Sequence, residues 1–231
     1  MQIKRLHDDF YKNEKRFLKP KQSFAQLFKI LKFRENKSIL DIGSANGELL
    51  YNLNKKYKSC KLTGYELLPR LISVAKKKLP NSIEIKKIDI TKKINVSNKF
   101  DIIIISGVIS IFDNYEKPLK NLLKILNPKG QIYIFNHFNK YPIDVFIKYR
   151  TLKKNKNILQ SGWNIHSIEG LKKFFSKNKK KCKIFKFTPK NIFSGNKKDP
   201  VRSWTFKNAK NKNLITNGLS ILQDQYWLKF Y

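Results

Sequence analysis

The chain has little of what disulfide-bonded, secreted or membrane-spanning proteins need. Only two of its 231 residues are cysteines. Cys60 and Cys182 precede strands expected in different halves of a sheet, so we predict no disulfide. The charged N-terminus is followed by no apolar segment, and we predict no signal peptide. The longest apolar run, 102–112, is shorter than the roughly 20 residues that cross a bilayer. We therefore expect a cytoplasmic protein without a membrane span.

Acidic residues are also scarce: 16 Asp and Glu against 50 Lys and Arg give a formal net charge of +34. Such a charge is typical of nucleic-acid binding, because neutralised phosphates release counterions. However, only six of the basic residues are arginine, and the chain has only four alanines. This composition is typical of an A/T-rich genome, and proteins that read bases favour arginine. The lysines are spread along the whole chain. A nucleic-acid partner stays open but is not favoured.

Residues 39–48 have the pattern of a short buried strand, a tight turn of small residues and the start of a helix. A second apolar run at 62–65 ends at an acid, Glu66. This succession of strand, turn, helix and acid is how α/β proteins hold a nucleoside. The dinucleotide fingerprint G-x-G-x-x-G would place Glu48 at its third glycine, where a side chain blocks close packing of helix on strand. The segment therefore disfavours NAD.

The spacing that fits instead is Asp41-x-Gly43-x-Ala45-x-Gly47. It resembles motif I of the class I S-adenosylmethionine (SAM)-dependent methyltransferases, usually D-x-G-x-G-x-G, with alanine at the middle glycine. Because alanine adopts a positive φ only at a cost, we expect Ala45 not to be left-handed.

The resemblance to this family continues to about Phe135. It implies SAM as cofactor, S-adenosylhomocysteine (SAH) as product, Glu66 as acceptor of both ribose hydroxyls and Asp89 as partner of the adenine amino group. The fourth apolar run begins at an F-D pair, 100–101, and an L-x-P-x-G turn at 126–130 precedes the fifth. The cofactor-binding residues that the resemblance implies are Asp41, Gly43, Ser44, Ala45, Asn46, Gly47, Glu66, Leu67, Asp89, Ile90, Ser106 and Gly107.

The order of predicted elements indicates an α/β protein with a three-layer α/β/α sandwich. The resemblance implies a doubly wound, mostly parallel seven-stranded sheet with an antiparallel last strand. Its binding crevice should lie at the carboxyl ends of the strands. We predict strands near 38–42, 61–65, 83–88, 101–105, 131–135, 183–187 and 226–231, a hairpin of 204–206 with 214–216, and helices near 46–57, 69–78, 116–126 and 168–175.

The chain divides into three predicted segments. Residues 1–36 form an N-terminal helical cap, 37–135 the SAM-binding α/β core, and 136–231 an acceptor-binding insertion with the last strands of the same sheet. In many relatives such an extension lies across the cofactor mouth. Tyr11 and Phe17 are therefore candidates for cofactor or substrate contact, although packing explains each aromatic residue more simply.

The three histidines are the candidate general bases for a hydroxyl acceptor, because histidine titrates near neutral pH. His137 follows the fifth predicted strand, where it is expected to face the transferred methyl, and is the first candidate. His166, at the start of a predicted helix, is the weaker candidate. His7 lies in the cap. We predict no metal, because the Asp partners that Asn136 would need for a metal site are not evident.

The acceptor is less defined than the cofactor. Methyltransferases that act on exocyclic or amide nitrogen typically carry an N/D-P-P-Y/F motif after the fourth strand, where this chain has Ser-Gly-Val-Ile at 106–109. The Pro-Cys pair that cytosine C5 methylation needs is also absent. The favoured hypothesis is a methyltransferase acting on a small-molecule, sugar or lipid-linked acceptor, with oxygen as the favoured acceptor atom. Two alternatives stay open: a tRNA or rRNA methyltransferase that uses the basic surface, and a non-catalytic regulatory subunit with the SAM fold. The sequence does not decide the oligomeric state.

Overall fold

A computed structural model describes residues 20–33, 36–95, 98–150 and 159–231. His7, Tyr11 and Phe17 lie outside the described residues. The helices and strands are α1 (Gln22–Ile30), β1 (Ser38–Ile42), α2 (Glu48–Lys56), β2 (Lys61–Glu66), α3 (Pro69–Lys78), β3 (Glu84–Lys87), β4 (Phe100–Ser106), α4 (Glu116–Lys124), β5 (Leu126–Asn139), β6 (Lys148–Tyr149), β7 (Gln160–Ser161), β8 (His166–Ser167), α5 (Ile168–Lys177), β9 (Cys182–Phe187), β10 (Trp204–Lys207), β11 (Asn213–Thr216) and β12 (Gln225–Phe230).

The central sheet has the strand order β3-β2-β1-β4-β5-β12-β9. Strands β1 to β5 pair with one another in parallel, whereas β12 runs antiparallel to both β5 and β9. This confirms the predicted doubly wound α/β sheet with its antiparallel last strand. The two-residue strand β8, which pairs with β5, is an addition that we did not predict. The strand order reverses between β1 and β4, which places a ligand crevice at the carboxyl ends of these two strands.

Two hydrophobic clusters hold helices on the two faces of the sheet. Leu27 of α1, Leu50 of α2 and Ala75 of α3 belong to one cluster, and Leu119 of α4 and Leu171 of α5 belong to the other. The result is the predicted three-layer sandwich, because each helix buries its apolar stripe against one sheet face.

Helix α1 comes from the segment that we predicted to be a cap, yet it packs in a helical layer of the sandwich. The indole nitrogen of Trp227 in β12 donates to the Ser23 carbonyl at 3.0 Å, which ties α1 to the sheet. The boundary at residues 36 and 37 stays a prediction, and the rest of the cap lies outside the described residues.

Strand β5 is longer than predicted and continues to Asn139. Pairing with β12 extends as far as the register pair His137 and Gln225, so β5 is hydrogen-bonded beyond the predicted end. The predicted hairpin is confirmed as β10 paired with β11. None of the described helices is long and apolar enough to cross a membrane.

Candidate cofactor site

The turn between β1 and α2 contains three residues with positive φ: Gly43 at 65°, Ala45 at 50° and Gly47 at 84°. A Cβ atom at Gly43 would lie 2.5 Å from Val108 Cγ2, and one at Gly47 would lie 2.6 Å from Leu79 Cδ1. Both positions therefore need glycine for space as well as for backbone conformation.

Our expectation that Ala45 is not left-handed is wrong. Its conformation points the Ala45 N–H at Glu66 Oε2, 2.8 Å away. A left-handed alanine costs roughly 1–2 kcal/mol. A hydrogen bond to a charged acceptor returns about 1.5–3 kcal/mol, which offsets that cost. The turn and the acid at the end of β2 thus stabilise each other.

Glu66 is buried, and its carboxylate accepts three backbone N–H groups. Oε1 accepts from Leu67 at 2.7 Å and Leu68 at 3.0 Å, and Oε2 accepts from Ala45. A carboxylate has about four lone-pair sites. One site, on Oε2, therefore remains for a ligand hydroxyl. For Glu66 to accept two ribose hydroxyls, as the resemblance implies, one backbone bond must be exchanged.

Asp89 lies beyond the end of β3 and is partly exposed. Its Oδ1 accepts from the Thr91 N–H at 2.9 Å and the Thr91 hydroxyl at 2.6 Å. These bonds fix the side chain and leave Oδ2 to accept from a ligand. Asp89 and Glu66 both line one cavity, so two acceptors of known orientation face the same volume.

Asp41 is a buried acid near the end of β1. Burial raises its pKa well above the usual range, and the negative charges of Glu66 and Glu48 raise it further, whereas the Lys21 ammonium lowers it. Lys21 Nζ lies 3.2 Å from Glu48 Oε2. A cationic ligand beside Asp41 would favour its ionised form, since an opposite charge stabilises a carboxylate.

The cavity at the carboxyl ends of the strands has a volume of about 700 Å³. Eight of the predicted cofactor residues line it: Gly43, Ala45, Glu66, Leu67, Asp89, Ile90, Ser106 and Gly107. A smaller polar compartment of about 50 Å³ is lined by Asp41, Ser44 and Asn46, and shares Gly43, Ala45 and Ser106 with the cavity. Gly47 lines neither and serves the turn instead.

The outer wall of the cavity comes from residues that we did not predict. Ile111 and Phe112 follow β4, and Gln160 and Ser161 form β7. The apolar character of 109–112 is visible in the sequence. Gln160 and Ser161 carry no local signal, because they reach the cavity only through long-range packing.

A hydrogen-bonded cluster around Asp113 holds β7 against the cavity. Asp113 Oδ2 accepts from Lys148 Nζ at 2.5 Å. Asp113 Oδ1 accepts from Ser161 Oγ at 3.0 Å and Asn164 Nδ2 at 2.8 Å. The hydrogen bond from Lys148 is the main reason that the pKa of Asp113 is lowered. The Asp113 cluster therefore positions the outer wall through four side chains.

His137 lies within β5, where the pairing with β12 continues, and its side chain is buried. It is not among the residues that line the cavity, and the expectation that it faces the transferred methyl stays a prediction. Its Nε2 lies 2.9 Å from the Trp163 carbonyl, which can only accept, so this nitrogen carries the proton. Burial lowers the pKa of His137 to about 4, although the bond to Trp163 opposes the shift. A role for His137 as general base stays a prediction that this geometry does not support.

His166 lies in β8, immediately before α5, and is also buried outside the cavity. Its Nε2 is 3.0 Å from the Phe112 carbonyl and 3.3 Å from the Ile109 carbonyl. Burial lowers its pKa as well. Both histidines thus fasten the insertion to the core, and a base role for His166 likewise stays a prediction.

The free energy of unfolding should fall as the pH falls from about 6.5 to about 4. In this range His137 is protonated in the unfolded chain but stays neutral in the folded chain. Its contribution to stability is therefore fully present above pH 6.5 and is lost as the pH falls toward 4. The loss from His137 alone is roughly 3 kcal/mol. Urea unfolding between pH 7.5 and 4.5 measures it.

The matched variant for this prediction is His137→Gln, which keeps a donor for the Trp163 carbonyl but does not titrate. Its unfolding free energy should depend less steeply on pH than that of the wild type. The raised pKa of Asp41 acts in the opposite direction in both proteins, so the comparison isolates His137. An equal pH dependence of the unfolding free energy in the two proteins would contradict the lowered pKa of His137.

Among the described residues, no group of three His, Cys, Asp or Glu side chains is placed to hold a metal ion. The site consists of a left-handed turn, two oriented carboxylates and a cavity whose outer wall has two apolar and two polar residues. The turn and the carboxylates provide what a nucleoside-containing cationic ligand needs.

Comparison with known proteins identifies the family and the fold. The profile of a family described as a methyltransferase domain matches residues 33–212. A demethylmenaquinone methyltransferase of Chlorobaculum parvum is 31% identical over 96 residues, which cover 42% of this chain and 39% of that protein. A malonyl-[acyl-carrier protein] O-methyltransferase of Priestia megaterium is 27% identical over 106 residues, which cover 46% of this chain and 38% of that protein. The matches thus span less than half the length of these curated relatives.

A crystal structure of a putative SAM-dependent methyltransferase from Listeria monocytogenes superposes with a TM-score of 0.63. It covers 91% of this chain and 98% of that one at 11% identity, which establishes a shared fold. Because the family profile matches most of the chain, the protein belongs to the class I SAM-dependent methyltransferases. The cofactor of this family is SAM.

Proposed function

We propose that the protein transfers the methyl group of SAM to an oxygen atom of a small amphipathic acceptor. The observation that carries this proposal is the convergence of Glu66, Asp89 and the left-handed turn on one cavity. When bound, SAM supplies a methyl group made electrophilic by its sulfonium. The chain binds and orients the reactants and keeps water from them, and alignment alone can contribute roughly 7–11 kcal/mol.

We assign the adenosine part of SAM to the cavity. Glu66 Oε2 has a lone pair for a ribose hydroxyl, and Asp89 Oδ2 can accept from the adenine amino group. A carboxylate at the ribose also repels a 2′-phosphate, which favours an adenosine ligand over NADP. The small compartment is lined by Asp41, Glu48 and Lys21. A cationic group of SAM placed there would favour the ionised form of Asp41, whose pKa is raised by burial.

The outer wall supports a small acceptor with apolar and polar parts. Leu71, Ile111 and Phe112 are apolar, and Gln160 and Ser161 add hydrogen-bonding groups. The names of the two curated relatives, a demethylmenaquinone methyltransferase and a malonyl-carrier O-methyltransferase, fit such an acceptor. The absence of the nitrogen-methylation motif at 106–109 favours oxygen.

RNA is the second candidate, because the net charge of +34 favours phosphate binding. The cavity does not concentrate that charge. Lys92 is the only lysine or arginine among the described residues that line it. This distribution supports the small-molecule acceptor.

The proposal is tested by label transfer from methyl-tritiated SAM. The substrates are amphipathic molecules with a free hydroxyl or carboxylate, the same molecules with that oxygen already methylated, and bulk tRNA. We expect label in the unblocked small molecules and none in the blocked ones. Label in tRNA would favour the RNA methyltransferase. SAH binding without transfer to any substrate would favour the regulatory subunit.

A further inference from the structure

The insertion between β5 and α5 exposes large apolar side chains. Tyr141, Ile143, Phe146 and Leu159 are 58%, 57%, 54% and 59% exposed. Single exposed apolar residues are ordinary. Four in one insertion, three of them within six consecutive residues, form a patch of the kind that marks an interaction surface. We call these four side chains the apolar surface.

The apolar surface is held in a defined conformation. Val145 and Ile165 exchange two backbone hydrogen bonds of 2.9 Å. Strand β6 pairs with β7, and the Asp113 cluster ties both to the core. The exposure is therefore a feature of the folded chain.

The backbone of Tyr141 and Ile143 is hydrogen-bonded within the chain. Asn139 Nδ2 donates to the Ile143 carbonyl at 3.0 Å, and Asn139 Oδ1 accepts from the Tyr141 N–H at 3.0 Å. The Ile143 N–H donates to the Tyr141 carbonyl at 2.8 Å. Moving a backbone N–H or C=O group out of water costs free energy unless the group has a hydrogen-bond partner. Because these backbone groups have partners within the chain, this segment is suited to a less polar environment.

Basic side chains lie beside the apolar surface. Lys140 Nζ sits 5.1 Å from the centre of the Tyr141 ring, and Arg150, which directly follows β6, is exposed. Asp144 is an exposed acid in the same stretch. Aromatic and aliphatic side chains with flanking lysine or arginine match the boundary between lipid headgroups and acyl chains. Anionic lipids attract such a surface further, because the whole chain carries +34.

We propose that the apolar surface inserts into the headgroup region of an anionic lipid bilayer. Two other occupants fit less well. A second copy would bring two strongly positive chains together, and like charges repel. RNA would stack bases on rings, which only Tyr141 and Phe146 provide, whereas Ile143 and Leu159 are aliphatic. Because Gln160 and Ser161 of the same insertion line the cavity, the bilayer would lie next to the acceptor side of the site. This proposal does not depend on which atom is methylated.

Vesicle co-sedimentation tests the proposal. The full chain is mixed with vesicles of phosphatidylcholine alone or with added phosphatidylglycerol. We expect binding to the anionic vesicles, and a loss of roughly tenfold or more in the double variant Ile143→Ser with Phe146→Ser, because two apolar side chains no longer leave water on binding. The control is Ile184→Ser with Ile192→Ser, which are 46% and 57% exposed elsewhere and should leave binding unchanged.

SAH binding serves as the folding control, since neither double variant touches the residues that line the cavity. Equal vesicle binding in both double variants would overturn the proposal, as would no binding to anionic vesicles by a wild type that binds SAH. Loss of tRNA binding in the first variant without loss of vesicle binding would assign the surface to RNA. A change from dimer to monomer in that variant, again without loss of vesicle binding, would assign it to a second copy.

Discussion

Replacing Glu66 with alanine should weaken SAH binding by about 100-fold or more. The variant removes the carboxylate that can accept a ribose hydroxyl, and a charge-assisted hydrogen bond contributes about 1.5–3 kcal/mol. It also leaves the N–H groups of Ala45, Leu67 and Leu68 without their acceptor, which loosens the turn. Calorimetric titration with SAH measures the loss.

Two variants separate the causes of this effect. Glu66→Gln retains a carbonyl oxygen that can accept from the backbone, and should bind SAH with intermediate affinity. Glu84→Ala removes an exposed acid from β3 whose partner is Lys86, and should bind SAH like the wild type. Unfolding curves check that each variant is folded. Wild-type affinity in a folded Glu66→Ala variant would remove Glu66 from the site.

The second large effect is expected for Gly43→Val. At φ +65° a β-branched residue is strained, and its Cβ would lie 2.5 Å from Val108 Cγ2. The left-handed conformation costs roughly 1–2 kcal/mol and overpacking roughly 1–3 kcal/mol. We expect a loss of roughly 2–5 kcal/mol in unfolding free energy from these two terms, and SAH binding below detection, because the turn must move. Urea unfolding and calorimetry measure the two effects.

Gly107 provides the matched control for the clash. It has φ +74°, but a Cβ there would meet no atom within 4 Å. Gly107→Ala should therefore show the conformational cost alone, and Gly43→Ala should lose more unfolding free energy than Gly107→Ala. Equal losses at the two glycines would mean that the contact with Val108 is not important.

The fold was predictable because its signals are local. The apolar run of β4 and the glycine turn after β1 identify their elements from a few neighbouring residues. Eight of the twelve predicted cofactor residues line the cavity, and they were predictable for the same reason, since carboxyl ends of parallel strands meet at one edge. The resemblance then assigned Glu66 and Asp89, and the structure places both at this cavity.

The features that sequence analysis missed depend on distant partners. Ala45 is left-handed because of a hydrogen bond to Glu66 in another strand. His137 is buried because β12, at the other end of the chain, extends the pairing of β5. Ser161 reaches the cavity wall through Asp113 and Lys148. No periodicity or motif encodes such contacts, so their positions become visible only in the folded chain.

The central claim is that the cavity beside Glu66 and Asp89 binds SAM. Calorimetric titration of the wild-type protein with SAH tests it most directly, followed by competition with SAM and with NAD. We predict one SAH bound per chain, displaced by SAM and not by NAD. No detectable binding of SAH or SAM, or displacement of SAH by NAD, would contradict the account.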